Sequence, residues 1–274
     1  MPNPDRIALQ RGRARSRLFE RQRTPRPLAR PVYFVPGWTD ERGQSAWSKM
    51  EPWVAATCTN ANTRSHFVEF SGAEPGRPPA HASFLAFGED LARLVALDGE
   101  AQTLGADFVC HSMGGLDLLA GIALIAERPE LGVRRIGIAR RVITLDTPFC
   151  GFSSAANALF RTFVRARRPD EPYIFSQLGA MREESPEIAA ARAARDAFLG
   201  AVEGFWARGA DNAGGLIEVP HESASFGKPE DFAPALRPRY RGYRAWECTS
   251  HSGPSGVTSD LRAILEVLEI LTGE

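Results

Sequence analysis

The sequence ADFVCHSMGG at residues 106–115 decides the fold, because it joins an apolar run to a serine and two glycines. The run over 106–111 predicts a buried strand, and the residues that follow continue as a helix. A serine at a sharp strand-to-helix turn has strained backbone geometry, so its neighbours must be small and its hydroxyl stands exposed. Gly114 and Gly115 meet this requirement. The pattern predicts a nucleophile elbow with Ser112 at its tip. Cys110 stands where the GxSxG pattern usually has glycine, and a thiol side chain is compact and often buried.

A second apolar strand is predicted at 31–36, and it runs into the turn Pro36-Gly37. Enzymes that transfer acyl groups place an oxyanion donor after such a strand. The backbone N–H groups of Trp38 and Met113 are the candidate donors. Two donors that converge on one oxygen stabilise a tetrahedral intermediate by about 3–4 kcal/mol each.

His251 is the candidate general base, because it follows a predicted strand and precedes the last predicted helix. From that position it can fold back over the elbow and take the proton of Ser112. His111 adjoins the serine, but we expect its side chain to leave the turn in another direction. The remaining histidines are early in the chain or at the surface: His66, His81 and His221.

Four motifs together resemble the α/β-hydrolase superfamily, specifically its bacterial lipases and esterases. They are VPG at 35–37, CHSMGG at 110–115, LDTP at 145–148, and His251. The resemblance begins near residue 31 and ends at the last predicted helix. It implies an α/β fold with a mostly parallel central sheet, helices on both faces and a helical cap insertion. It also implies Ser112 as nucleophile and His251 as general base, in an enzyme that hydrolyses carboxylic esters through an acyl-enzyme.

The third member of a Ser-His-acid triad stays open at this point. Asp146 ends the apolar run 141–145, and the resemblance offers a precedent, since some animal lipases carry their acid after this strand. Asp211 is the alternative, in a segment similar to the family's Asp-Gly-Leu-Val loop, although the segment before it looks helical. Glu218 and Glu222 are weaker candidates. The chain order Ser, acid, His holds for all four and does not discriminate between them.

Other chemistry is open to the same fold. The same residues can cleave amides or thioesters, or transfer acyl groups to alcohols. A catalytically inactive protein that binds a hydrophobic ligand is a further possibility, because fold does not fix function.

The rest of the chain alternates strand and helix patterns, as in a mostly parallel sheet. Further strands are predicted at 66–71, 141–146 and 243–249, and amphipathic helices at 82–97 and 259–272. The region at about 151–204 departs from this alternation and becomes helical, which predicts a cap or lid over the site. Phe149 and Phe152 are expected to line the substrate pocket.

Length and composition bound the function. The 274 residues are 43% hydrophobic, enough for one large domain with an insertion. Residues 1–30 are rich in arginine and proline and are expected to form a flexible tail. The formal charge is zero, which disfavours a nucleic-acid partner and leaves a small-molecule or lipid ester as the expected substrate.

No secretory signal or membrane-crossing segment is evident, so a cytoplasmic protein is the default expectation. The four cysteines form no disulfide framework and share no zinc-ligand spacing. We expect no metal and no cofactor, and the sequence does not indicate an oligomeric state.

Overall fold

A computed structural model describes the greater part of the chain. The described residues are 25–37, 46–68, 84–125, 132, 136–137, 139–151, 162, 178–211, 219–248, 251 and 256–273. They contain a six-stranded sheet of order β2-β1-β3-β4-β5-β6, in which every neighbouring pair is parallel. The strands are β1 Val32–Val35, β2 Ser65–Phe67, β3 Ala106–His111, β4 Ala139–Leu145, β5 Gly204–Asp211 and β6 Tyr240–Glu247.

Helices connect the strands, as parallel pairing requires. The described α-helices are α1 Glu51–Thr57, α2 Ala61–Arg64, α3 Phe84–Leu97, α4 Gly99–Leu104, α5 Met113–Leu119, α6 Pro186–Ala193, α7 Arg195–Gly200, α8 His221–Ala224 and α9 Leu261–Thr272. A π-helical segment, Ala120–Leu124, continues α5. Short 3₁₀ segments lie at Pro229–Asp231, Arg237–Arg239 and Val257–Ser259. Among the described helices, none is long and apolar enough to cross a bilayer.

The fifth strand corrects the sequence-based expectation for the segment before Asp211. That segment looks helical in sequence, but Gly204–Asp211 forms β5, which pairs with β4 on one side and β6 on the other. Two glycines and two alanines among its eight residues give it little local strand preference. Pairing on both sides, a tertiary effect, sets its conformation.

The sheet is buried on both faces, which explains the continuous apolar runs of its central strands. Phe108 of β3 belongs to the core on one face, together with Leu91 of α3 and Leu116 of α5. The neighbouring Val109 belongs to the core on the other face, together with Ile264 of α9. The alternation of side chains along β3 thus divides the apolar residues between two layers.

Helix α5, which follows Ser112, is held close to α3 by a glycine. A methyl group on Gly88 of α3 would lie 2.6 Å from the carbonyl oxygen of Asp117 and 2.7 Å from Cβ of Ala120. Only a residue without a side chain permits this approach of the two backbones. The contact fixes where the elbow helix lies on the sheet.

Part of the predicted N-terminal tail belongs to the folded domain. Leu28 is buried, its N–H donates to Oδ1 of Asn60, and the amide of Asn60 donates to its carbonyl oxygen. Arg26 forms a parallel bridge with Cys58. Leu28 therefore packs on the core and Arg26 pairs with the segment at Cys58, while residues 1–24 lie outside the described residues.

Within the region 151–204, the described part contains α6 and α7. Ser185 caps α6 by accepting the N–H of Ile188, and Pro186 is the first residue of this helix. Phe198 of α7 is buried against Phe205 of β5, with the two rings edge to face. This part of the chain is thus helical, as its sequence predicts, and a cap over the site stays a prediction.

Candidate active site

Ser112 lies at the junction between β3 and α5, in the strand-turn-helix arrangement that the sequence predicts. Its backbone has φ 53° and ψ −127°, a conformation that residues with a side chain rarely adopt. The N–H of Ser112 donates to the carbonyl oxygen of Leu145 at 2.9 Å, which ties the turn to the end of β4. The surrounding sheet therefore keeps the backbone of Ser112 in this strained conformation.

The two glycines after the serine permit close packing. A methyl group on Gly114 would lie 2.4 Å from the carbonyl oxygen of Pro36, and one on Gly115 would lie 2.3 Å from Oγ1 of Thr147. Both distances are shorter than side-chain contacts allow. The start of α5 consequently lies directly against the segments that follow β1 and β4.

His251 joins the serine to a carboxylate. Its Nε2 atom is 2.8 Å from Oγ of Ser112, and its Nδ1 atom is 2.5 Å from Oδ2 of Asp146. All three side chains are buried, with exposed fractions of 6% or less. The structure therefore brings together the three residues that the sequence proposes as nucleophile, base and first-choice acid.

Asp146 is fixed by the strand next to its own. It follows β4 with φ 55°, and its N–H donates to the carbonyl oxygen of Arg208 at 2.7 Å. Its Oδ1 atom accepts the N–H of Ala210 at 3.1 Å. One carboxylate oxygen thus faces His251 while the other is anchored on β5. These contacts do not follow from the sequence pattern, because the residues of β5 have little local strand preference.

Among the alternative acids, only Glu222 has a described side chain, and it does not take this place. Asp211 is the last residue of β5, and its side chain lies outside the described part of the structure. Glu222 is exposed on α8, and Glu218 lies outside the described residues. Within the described residues, the carboxylate that reaches Nδ1 of His251 is that of Asp146.

Two of the remaining histidines lie in other parts of the structure. His66 stacks on Tyr33, and His221 is exposed on α8. His81 lies outside the described residues. His111, which adjoins the serine in sequence, has its ring against His251, with 4.9 Å between ring centroids.

Of the two oxyanion candidates, Met113 is the first residue of α5, where backbone N–H groups have no acceptor within the helix. Trp38 lies outside the described residues. The preceding Gly37 is close to the serine, since a methyl group on it would lie 2.6 Å from Cβ of Ser112. The turn after β1 is therefore next to the elbow.

Of the two aromatic residues predicted for the substrate pocket, Phe149 lies within the described residues. Phe149 is fully buried and stacks on Phe226, with 4.0 Å between ring centroids. Phe198 and Phe205 complete this cluster. Phe152 lies outside the described residues. A role of either residue in binding substrate stays a prediction.

Two titratable side chains are buried behind the elbow, on β3 and α5. Asp117 of α5 is fully buried, neither carboxyl oxygen has a hydrogen-bond partner among the described residues, and burial raises its pKa well above 3.8. Burial, and secondarily the carboxyl of Asp117, raise the pKa of the Cys110 thiol. Burial thus disfavours the charged form of both groups. No group of three or more possible metal ligands occurs within the described ranges.

Solved structures of similar fold come from bacterial enzymes. The mature lipase BlEst2 of Bacillus licheniformis is 18% identical, with a TM-score of 0.52 over 90% of this chain and 94% of that one. An esterase of Thermogutta terrifontis is 17% identical, with a TM-score of 0.47 over 90% and 92%. The RedJ thioesterase of the prodiginine pathway of Streptomyces coelicolor is 17% identical, with a TM-score of 0.44 over 90% of each chain.

The parallel sheet covered by helices on both faces, and its similarity to the Bacillus lipase structure, define an α/β-hydrolase fold. No family model matches the sequence, and no curated protein is similar to it. The similarity is therefore one of architecture. An assignment of function has to come from the site.

Proposed function

We propose that this protein is a serine hydrolase that cleaves carboxylic esters through an acyl-enzyme intermediate. The observation that supports this most strongly is His251, whose two ring nitrogens lie within hydrogen-bond distance of Ser112 and Asp146. A strained serine, an imidazole and a buried carboxylate in this order form the arrangement that activates a hydroxyl for acyl transfer.

In the proposed mechanism, Nδ1–H of His251 donates a hydrogen bond to the carboxylate of Asp146, which fixes the imidazole tautomer. The unprotonated Nε2 then accepts the proton of Ser112 as Oγ attacks the ester carbonyl. The alcohol leaves with the proton that the imidazolium returns, and an acyl group remains on Oγ. Water, activated by the same imidazole, releases the acid and regenerates the serine.

The oxyanion of each tetrahedral intermediate is stabilised by backbone N–H groups. We assign the donors to the backbone N–H groups of Met113, the first residue of α5, and of Trp38, which follows Gly37 in sequence. Each donor contributes about 3–4 kcal/mol to stabilising the transition state. The chemistry requires no cofactor. We assign the region at about 151–204 as a cap, and Phe149 and Phe152 as residues of the acyl pocket.

Replacement of the serine tests the proposal. Ser112→Ala should abolish hydrolysis of short p-nitrophenyl esters, because no nucleophile remains, while the circular dichroism spectrum stays that of the wild type. Ser48→Ala, at an exposed serine, is the matched control and should keep full activity. Wild-type turnover in Ser112→Ala would refute the proposal.

A further inference from the structure

His111 is in contact with His251 in a way that the triad does not require. It is the last residue of β3 and precedes Ser112 directly. Its side chain is buried, and its Nε2 atom lies 3.2 Å from the backbone carbonyl oxygen of His251. Two adjacent residues therefore contact His251. The side chain of His111 contacts its backbone carbonyl, and the side chain of Ser112 contacts its imidazole.

The protonation state of His111 defines the direction of this hydrogen bond. Burial, and secondarily the nearby His251, lower the pKa of His111 to about 3, so its ring is neutral at neutral pH. A neutral imidazole carries one proton, and a carbonyl oxygen only accepts. The proton is consequently on Nε2, which donates to His251. The ring adds no positive charge beside the base.

The other edges of the His111 ring are enclosed. A methyl group on Gly37 would lie 3.2 Å from Nδ1 of His111, which shows how closely the turn after β1 approaches the ring. The indole of Trp47 meets the ring at 78°, with 6.4 Å between centroids. Since β3 is a central strand paired on both sides, the Nε2 donor is held in a fixed position.

The geometry points to His111 as a positioning residue for the general base, an inference that rests on the proposed function. His251 lies outside any strand or helix, so the hydrogen bonds of the sheet do not place its backbone. The hydrogen bond from His111 supplies that placement from the rigid end of β3. It keeps the imidazole at the distance from Ser112 at which proton transfer occurs. Small errors in such distances are costly to catalysis.

Three substitutions separate the hydrogen bond from packing. His111→Phe keeps a planar ring but removes the donor. In His111→Gln the amide nitrogen reaches the position of Nε2 and restores the donor. His111→Asn adds no volume, but its shorter amide reaches the position of Nδ1 and not that of Nε2. Thermal unfolding of each variant establishes that the protein compared is folded.

The measurement is steady-state hydrolysis of p-nitrophenyl acetate by the full chain. In His111→Phe and His111→Asn we expect kcat to fall about 10- to 100-fold while KM changes less than about threefold, because positioning and not substrate binding is lost. In His111→Gln we expect kcat within about threefold of the wild type. Wild-type kcat in the Phe and Asn variants, or equal losses in all three, would overturn the inference.

Labelling by a fluorophosphonate probe distinguishes failure of the positioning role of His111 from failure of the proposed function. Wild-type protein that is labelled at Ser112, with no slower labelling in His111→Phe and His111→Asn, contradicts only the positioning role. Wild-type protein that is not labelled at Ser112 contradicts the proposed function and the positioning role together. Labelling that slows in both variants and recovers in His111→Gln supports both.

Discussion

The carboxylate of Asp146 lies 2.5 Å from Nδ1 of His251, although 105 residues separate the two in sequence. The same carboxylate accepts the backbone N–H of Ala210 on β5 through its other oxygen. β5 thus orients the acid through its backbone. This arrangement supports Asp146 as the acid at the end of β4.

The first prediction compares the two aspartates. Asp146→Asn should lower kcat for p-nitrophenyl ester hydrolysis about 10³- to 10⁴-fold, because an amide no longer holds the required tautomer of His251. Asp211→Asn, at the end of the neighbouring strand, is the control and should leave kcat within about threefold. A larger loss in Asp211→Asn than in Asp146→Asn would reverse the assignment of the acid.

The second prediction concerns the close approach of Gly37 to the elbow. In Gly37→Ala the new methyl group would lie 2.6 Å from Cβ of Ser112 and 3.1 Å from the carbonyl oxygen of His111. Because the serine must move, we expect kcat/KM for ester hydrolysis to fall about 100-fold.

Gly99→Ala is the matched control, because a methyl group there has no neighbour within 4 Å among the described residues. Gly99 is the first residue of α4, so alanine should preserve activity and raise the free energy of unfolding by up to about 1 kcal/mol. Equal kcat/KM of the two variants would show that the close packing of Gly37 on the serine does not affect hydrolysis.

The third prediction follows from the raised pKa of Asp117. The folded protein keeps the proton of this carboxyl above pH 3.8, where the unfolded chain releases it. Stability is therefore lost as pH rises above 3.8, by about 1.4 kcal/mol per pH unit until the folded carboxyl itself ionises. In Asp117→Asn the side chain is an amide that does not titrate, so this pH-dependent loss of stability does not occur.

Urea unfolding of wild type and Asp117→Asn at several pH values between 5 and 8 measures the effect. The difference in free energy of unfolding between them should change with pH in favour of the variant. Asp107, whose pKa burial raises to about 6, is present in both proteins, so its contribution cancels in the difference. Parallel pH profiles would contradict a protonated Asp117 in the folded protein.

The fourth prediction concerns the two ion pairs of a single carboxylate. Glu266 of α9 forms ion pairs with Arg208, whose side chain is 7% exposed, and with Arg244, whose side chain is 63% exposed. Arg208 also donates to the carbonyl oxygens of Ala207 and Gly242. Arg208→Met should lower the free energy of unfolding by about 3–5 kcal/mol, since it leaves a mostly buried carboxylate without its nearest cation.

Arg244→Met removes an ion pair with the same carboxylate and serves as the control. A pair with so exposed an arginine contributes about 0–1 kcal/mol. Chemical denaturation of the two variants and the wild type gives both values. Similar losses in both would show that burial does not determine the strength of these pairs.

Most of the parallel sheet follows from local sequence pattern. The predicted strand 106–111 coincides with β3, and the predicted helices 82–97 and 259–272 correspond to α3 and α9. Strand β5 was missed, because Gly204–Asp211 contains small residues whose strand conformation comes from two neighbouring strands. Local propensity does not contain that information.

The candidate site, like the sheet, follows from local sequence only in part. The small residues around Ser112 and the place of His251 after a strand lead to both proposals from the sequence alone. The chain order does not discriminate between Asp146 and Asp211 as the proposed acid, and the structure supplies the distance from Asp146 to His251. The contact between His111 and His251 was also beyond the sequence, although a histidine directly before the serine is the one local signal that points to it.

Covalent labelling of Ser112 tests the central claim most directly. After reaction with a fluorophosphonate, mass spectrometry of the digested wild-type protein should place a single adduct on Ser112, formed much faster than in Asp146→Asn. An intact protein without adduct, or with its adduct on another residue, would contradict the account.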